Sequence, residues 1–141
     1  MTLKQFVLTV FLSVLCASSN VAGAEPELKV FELQRKLEPD CGCVFHDIKD
    51  PKQRMIIGGA FYYGGTIWMN INGTDIQLKE RIPEQRKGKH TISHYTAGDI
   101  TVRIELYKTG EGHESIDLKG TVSVTKGKQK IFIKVDGDCG C

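Results

Sequence analysis

The sequence lacks a long apolar run, a segment of sustained helical periodicity and a strong charge of either sign, and each absence removes a class of protein. Its longest apolar stretch, Phe6 to Cys16, covers 11 residues, whereas a membrane-spanning helix needs ~20. No transmembrane segment is therefore expected in the mature chain. With 19 basic and 17 acidic residues the formal net charge is only +2. The basic side chains are scattered, so there is no electrostatic footprint for nucleic acid. No nucleophile elbow, phosphate-binding loop, dinucleotide fingerprint or framed pair of carboxylates occurs. The chain is accordingly expected to be non-enzymatic and to need no cofactor.

What is present begins with an export signal. Lys4 supplies a positive start, the 6–16 run an apolar centre, and Ala22-Gly23-Ala24 a small-x-small cleavage site. Leu15, directly before Cys16, is too large for a lipid-attachment box. Residues 1–24 are thus expected to be a cleaved signal peptide and residues 25–141 a single β domain, periplasmic or secreted. Loss of Lys4 brings the net charge to +1 and loss of Cys16 leaves an even four cysteines.

The remainder reads as strands. The segment from Leu28 to Leu33 is a candidate edge strand, and Cys41 to Ile48 a second strand closed by the Asp50-Pro51 turn. Around Asn72-Gly73 two alternating runs predict a hairpin, because both turn residues tolerate positive φ. Its register pairs Ile71 with Thr74, Met69 with Ile76 and Ile67 with Leu78 on one face, leaving Trp68 with Gln77 on the other. Arg81 to Lys89, polar and interrupted by Pro83 and Gly88, reads as an exposed connection. His90 to Tyr95 follows as a strand, and from Ile100 every second residue is apolar. A turn at Lys126-Gly127 would pair Val122 with Ile131 and Leu118 with Val135. Eight or nine short strands with turns every 8–12 residues predict an all-β fold, a small antiparallel β-barrel or β-sandwich.

The chain repeats one tetrapeptide, Asp-Cys-Gly-Cys, at 40–43 and 138–141. Alternation places Cys139 and Cys141 on the apolar face of the last strand, and Cys41, Cys43 and Phe45 on one face of the strand after Pro39. If those two strands pair antiparallel, Cys41 faces Cys141 and Cys43 faces Cys139, at cross-strand Cα separations of roughly 4.5–5.5 Å that disulfides can bridge. In an oxidising compartment two such disulfides are the first expectation, each closing a loop worth about 4–5 kcal/mol by loop-closure entropy, though not additively. Two alternatives use the same four sulfurs. Cys41, Cys43, Cys139 and Cys141 could ligate Zn or Cu as thiolates. Alternatively each Cys-Gly-Cys could form its own strained, exchangeable disulfide, since same-face neighbours lie ~6.6 Å apart at Cα.

Other candidates carry less chemistry. His90 and His94 share a strand face but lie ~13 Å apart, too far to grip one ion. Trp68, with Tyr62 nearby, is either a core-layer aromatic or part of a binding surface. Arg81, Arg86, Lys87 and Lys89 form a basic stretch that is a solvated loop or a docking element for an anionic partner. The expected role is binding, to a protein or cell-envelope component, with the cysteines as staples.

Overall fold

A computed structural model describes residues 25–37, 41–59 and 65–140. The expected signal segment 1–24, Tyr62 and Cys141 lie outside the described residues. Nine strands are formed and no helix occurs among the described residues: β1 (Val30–Phe31), β2 (Gly42–Asp47), β3 (Met55–Gly59), β4 (Thr66–Ile71), β5 (Thr74–Lys87), β6 (His90–Ala97), β7 (Ile100–Glu111), β8 (Ser115–Lys126) and β9 (Gln129–Gly140). All pairings are antiparallel, in the order β4-β3-β2-β9-β8-β7-β6-β5 with β5 returning to β4. The fold is a closed eight-stranded barrel rather than a sandwich, and β1 lies beside β4 as an added strand.

The period-two pattern builds the interior. Phe45, Ile57, Ile67, Met69, Leu78, Tyr95, Val102, Ile104, Val122, Val124 and Val135 are at most 1% exposed. Each large aliphatic or aromatic group so buried contributes about 1.5–3 kcal/mol before the entropy of ordering is set against it. The β4–β5 hairpin has the register that alternation demands, with Ile71 on Thr74, Met69 on Ile76 and Ile67 on Leu78. Asn72 and Gly73 both take positive φ, 53° and 91°.

Two expectations are corrected. The β8–β9 turn is Gly127-Lys128, so Val122 pairs with Ile133 and Leu118 with Gly137, two residues away from the predicted partners. Gly127 has φ 58°, and a glycine with positive φ at the first central position is what a type II′ turn requires. Gly88 and Gly98, at φ 61° and 57°, occupy the same position in the β5–β6 and β6–β7 turns. The second correction concerns Arg81 to Lys89. These residues continue β5 as far as Lys87, and only Gly88 and Lys89 form the turn to β6. The ladder shifts register between Ile82 and Gln85, which accommodates Pro83 where its missing N–H would otherwise break a rung.

The N-terminal segment acts as a strap. Leu28 is buried in the core, its N–H donates to Gln129 Oε1 at 2.7 Å, and Gln129 Nε2 donates back to Pro26 O at 3.0 Å. Lys29 N–H donates to Asn72 Oδ1, and Asn72 N–H to Lys29 O. The strap then crosses the outside of β3, β4 and β5. Leu33 N–H donates to Met55 O, and Gln34 and Arg35 N–H donate to the Asp75 carboxylate.

Candidate functional site

An antiparallel barrel gathers its hairpin turns at two ends. The β2–β3, β4–β5, β6–β7 and β8–β9 turns share one end, and there the strap lays Leu28 over the core beside Asn72 and Gln129. The β5–β6 and β7–β8 turns lie at the other end, together with the paired Cys-Gly-Cys segments. That second end is the mouth.

A cavity of about 100 Å³ opens at the mouth. Its two sides differ because different strands supply them. β8 and β9 contribute Ile116, Leu118 and Cys139, whereas β5, β6, β7 and the Gly88-Lys89 turn contribute Glu84, Arg86, Lys89, Thr91 and Lys108. Arg86 Nε donates to Glu84 Oε1 at 2.6 Å, with the Glu84 side chain only 18% exposed. Lys108 Nζ donates to Glu111 Oε2 at 2.7 Å, and that hydrogen bond is the main reason the Glu111 carboxyl titrates below its ordinary range. Beneath the cavity lie the buried Ser93 and Tyr95. Burial, reinforced by the negative charges of Glu80 and Glu84, pushes the Tyr95 phenol well above its usual range, although a hydrogen bond with Ser93 opposes this. It stays protonated at any physiological pH.

The predicted pairing of the first long strand with the last is observed. Cys43 sits opposite Cys139 and Gly42 opposite Gly140, and a disulfide joins Cys43 to Cys139 across 96 residues of sequence. Both half-cystines are buried, 1% and 3% exposed, and Cys139 faces the cavity. Cys43 is thus bonded across the ladder and not to Cys41. Cys41 is also disulfide-bonded, while the expected Cys41–Cys141 rung involves a residue outside the described residues. Sulfurs bonded to each other offer no thiolate, so the Zn or Cu alternative would require the reduced protein.

The basic stretch divides. Arg86 and Lys89 meet at the mouth, and Lys87 is exposed on the same hairpin. Arg81 lies five residues back along β5, roughly 17 Å away at strand rise. Trp68 belongs to neither the core nor the mouth. It is on the barrel exterior, where the Arg35 guanidinium of the strap stacks 3.5 Å from its ring centroid. His90 also faces outward, stacked on Tyr107 with centroids 4.4 Å apart, its Nε2 2.7 Å from Glu105 Oε1. Arg103 donates to the other Glu105 oxygen at 2.7 Å, and this holds that carboxyl below its ordinary range.

Sequence reasoning missed Glu84, Thr91 and Lys108. One signal for Lys108 was present: it continues the inward series Ile100, Val102, Ile104 and Leu106, so a cation there must meet the barrel interior at its rim. Comparison with protein-family models, curated proteins and solved structures finds no match for this chain.

Proposed function

We propose that this is an exported, non-enzymatic β-barrel that acts by binding, and that its mouth is the engaging end. The observation that carries this reading is the asymmetry of the barrel. One end is covered by the protein's own strap, while the other presents a cavity rimmed by Arg86, Lys89 and Lys108. The acidic side chains there, Glu84 and Glu111, are each held by a cation, which suits them to shaping a site rather than to moving protons. A disulfide-bonded frame fits an oxidising compartment, periplasmic or extracellular. It also keeps the mouth preorganised, which lowers the entropy lost on binding. The partner would be a protein or cell-envelope component.

Site-specific photocrosslinking in the protein's own compartment tests this. A crosslinker at exposed position 87 should give a discrete adduct, and one at exposed position 52, on the β2–β3 turn at the covered end, should not. Adducts of equal yield from both positions, or from position 52 alone, would overturn the assignment of the mouth.

A further inference from the structure

We propose that the mouth cavity receives an aliphatic carboxylate, its charge at Lys89 and Lys108 and its apolar tail against Ile116, Leu118 and the Cys43–Cys139 disulfide. This rests on the reading of the mouth as the binding end and names the chemistry that end recognises.

Three observations point the same way. The first is the division of the lining. The apolar atoms come from β8 and β9, and the cations from the β5–β6 hairpin and β7, so a ligand in the cavity meets hydrocarbon on one side and positive charge on the other. The second is charge balance. Glu84 is committed to Arg86 and Glu111 to Lys108. The Lys89 ammonium makes no ion pair among the described residues, although its charge reaches Glu111. Among the described residues at the mouth the cations Arg86, Lys89 and Lys108 exceed the carboxylates Glu84 and Glu111 by one, so a monoanion balances them, whereas an ammonium ligand adds to the excess. The Lys108 side chain, 32% exposed, is partly withdrawn from water, so its attraction for an anion is screened less than on an open surface.

The third observation is size. An apolar cavity of ~150 Å³ holds benzene, so about 100 Å³ has room for about four non-hydrogen atoms by the same scaling. Leu106, Ser93 and Tyr95, all at least 95% buried, close the interior below, so a longer tail has nowhere to go. The fitting ligand is therefore a tail of about four carbons with the carboxylate at the rim, as in pentanoate. A peptide chain ending in a small aliphatic residue offers the same chemistry through its terminal carboxylate.

The test is a titration of the oxidised, isotope-labelled mature protein followed by amide NMR. Pentanoate should shift Thr91, Lys108, Ile116 and Cys139 saturably with a dissociation constant in the millimolar range, as expected for so small a ligand. Pentanamide, the neutral counterpart, should bind about tenfold more weakly, and octanoate no more tightly than pentanoate. K89Q alters an exposed turn and leaves the core intact. It should weaken pentanoate roughly three- to fivefold and leave pentanamide unchanged. An acetylated alanyl-valine dipeptide binding more tightly than pentanoate would assign the source to a chain terminus, and the reverse order to a free short-chain acid. Either order supports the proposal. Absence of saturable shifts with pentanoate, or pentylammonium binding as tightly, would overturn it. If photocrosslinks still formed at position 87, only the carboxylate would fall; if they failed too, the mouth itself would be the wrong end.

Discussion

Replacing Gly137 with alanine tests how tightly the seam between the first and last staves of the barrel, β2 and β9, is closed. Gly137 lies on β9 between Phe45 of β2 and Leu118 of β8, with its α-carbon turned toward the core. A Cβ built there would collide with Val44 O and come within 2.6 Å of Phe45 Cδ1 and 2.9 Å of Phe45 Cα. Two of these three obstacles are backbone, so no rotamer change relieves them, and β2 and β9 must separate. Overpacking of this kind costs about 1–3 kcal/mol, and weakening the two flanking ladder hydrogen bonds adds about 1 kcal/mol each. Alanine recovers roughly 0.4–1 kcal/mol by restricting the unfolded chain, which leaves a net destabilisation of about 2–4.5 kcal/mol.

Gly98→Ala is the matched control, because it isolates backbone conformation from crowding. Gly98 has φ +57° and nothing within 4 Å of a built Cβ, so its substitution costs only the left-handed geometry, about 1–2 kcal/mol, less the same entropic recovery. Urea unfolding of the oxidised protein, with a common m-value, measures both. Gly137→Ala should lie below Gly98→Ala by at least about 1 kcal/mol at matched conditions. Equal losses would mean that the seam yields freely, and the steric account of closure would be wrong.

Two further outcomes follow from the clasp and the strap. The fourfold variant Cys41→Ala/Cys43→Ala/Cys139→Ala/Cys141→Ala, which removes the Cys43–Cys139 bond spanning 96 residues together with the disulfide of Cys41, should lose about 3–5 kcal/mol in the same assay, and a loss below about 1 kcal/mol would show that the ladder alone holds the seam. Burial opposes the charge on Asp75, but hydrogen bonds from Gln34 N–H, Asn70 Nδ2 and Arg35 N–H outweigh it and lower its pKa. A depressed carboxyl stabilises above its unfolded pKa and ceases to as pH falls through the folded value, so the strap should loosen only below about pH 4. Trp68, the only tryptophan, reports this by a red shift in emission as Arg35 leaves its face. A midpoint above pH 5, or an unchanged transition in Asp75→Asn, would refute the latch.

How far the sequence discloses this fold varies from place to place for physical reasons. The β4–β5 hairpin is legible residue by residue, because an Asn-Gly turn needing two positive φ values admits one register and a slip of one would turn Ile67 and Met69 outward. The clasp is legible for the same reason, since alternation carried from Ile131 through Val135 arrives at Cys139. The β8–β9 register is half legible. Moving the turn from Lys126-Gly127 to Gly127-Lys128 shifts pairing by two, which keeps every side chain on its face, and only the φ demanded of Gly127 decides. The length of β5 is hidden, because Arg81 to Lys87 is polar apart from Ile82, is interrupted by Pro83 and is held in the sheet by partners on β6. The strap is more hidden still. Its backbone bonds to the side chains of Gln129, Asn72 and Asp75, which are far away in sequence and leave no periodicity in residues 25–37. The mouth was half visible, as a basic stretch whose acidic and apolar counterparts come from other strands.

The weakest stave of the barrel explains why the strap and the clasp belong to one design. β3 is only five residues long and pairs with β4 at Met69, Trp68 and Ile67. That leaves Asn70 and Ile71 without a partner from β3 on that edge. β1 takes up those two positions, with Phe31 on Asn70 and Val30 on Ile71. The strap thus extends a short stave while it covers the barrel end. At the opposite end the seam between β2 and β9 closes through Cys43 and Cys139. Closure removes the exposed strand edges through which sheets otherwise recruit partners. A partner engaging the mouth, as proposed, would meet the side chains that converge on its concavity.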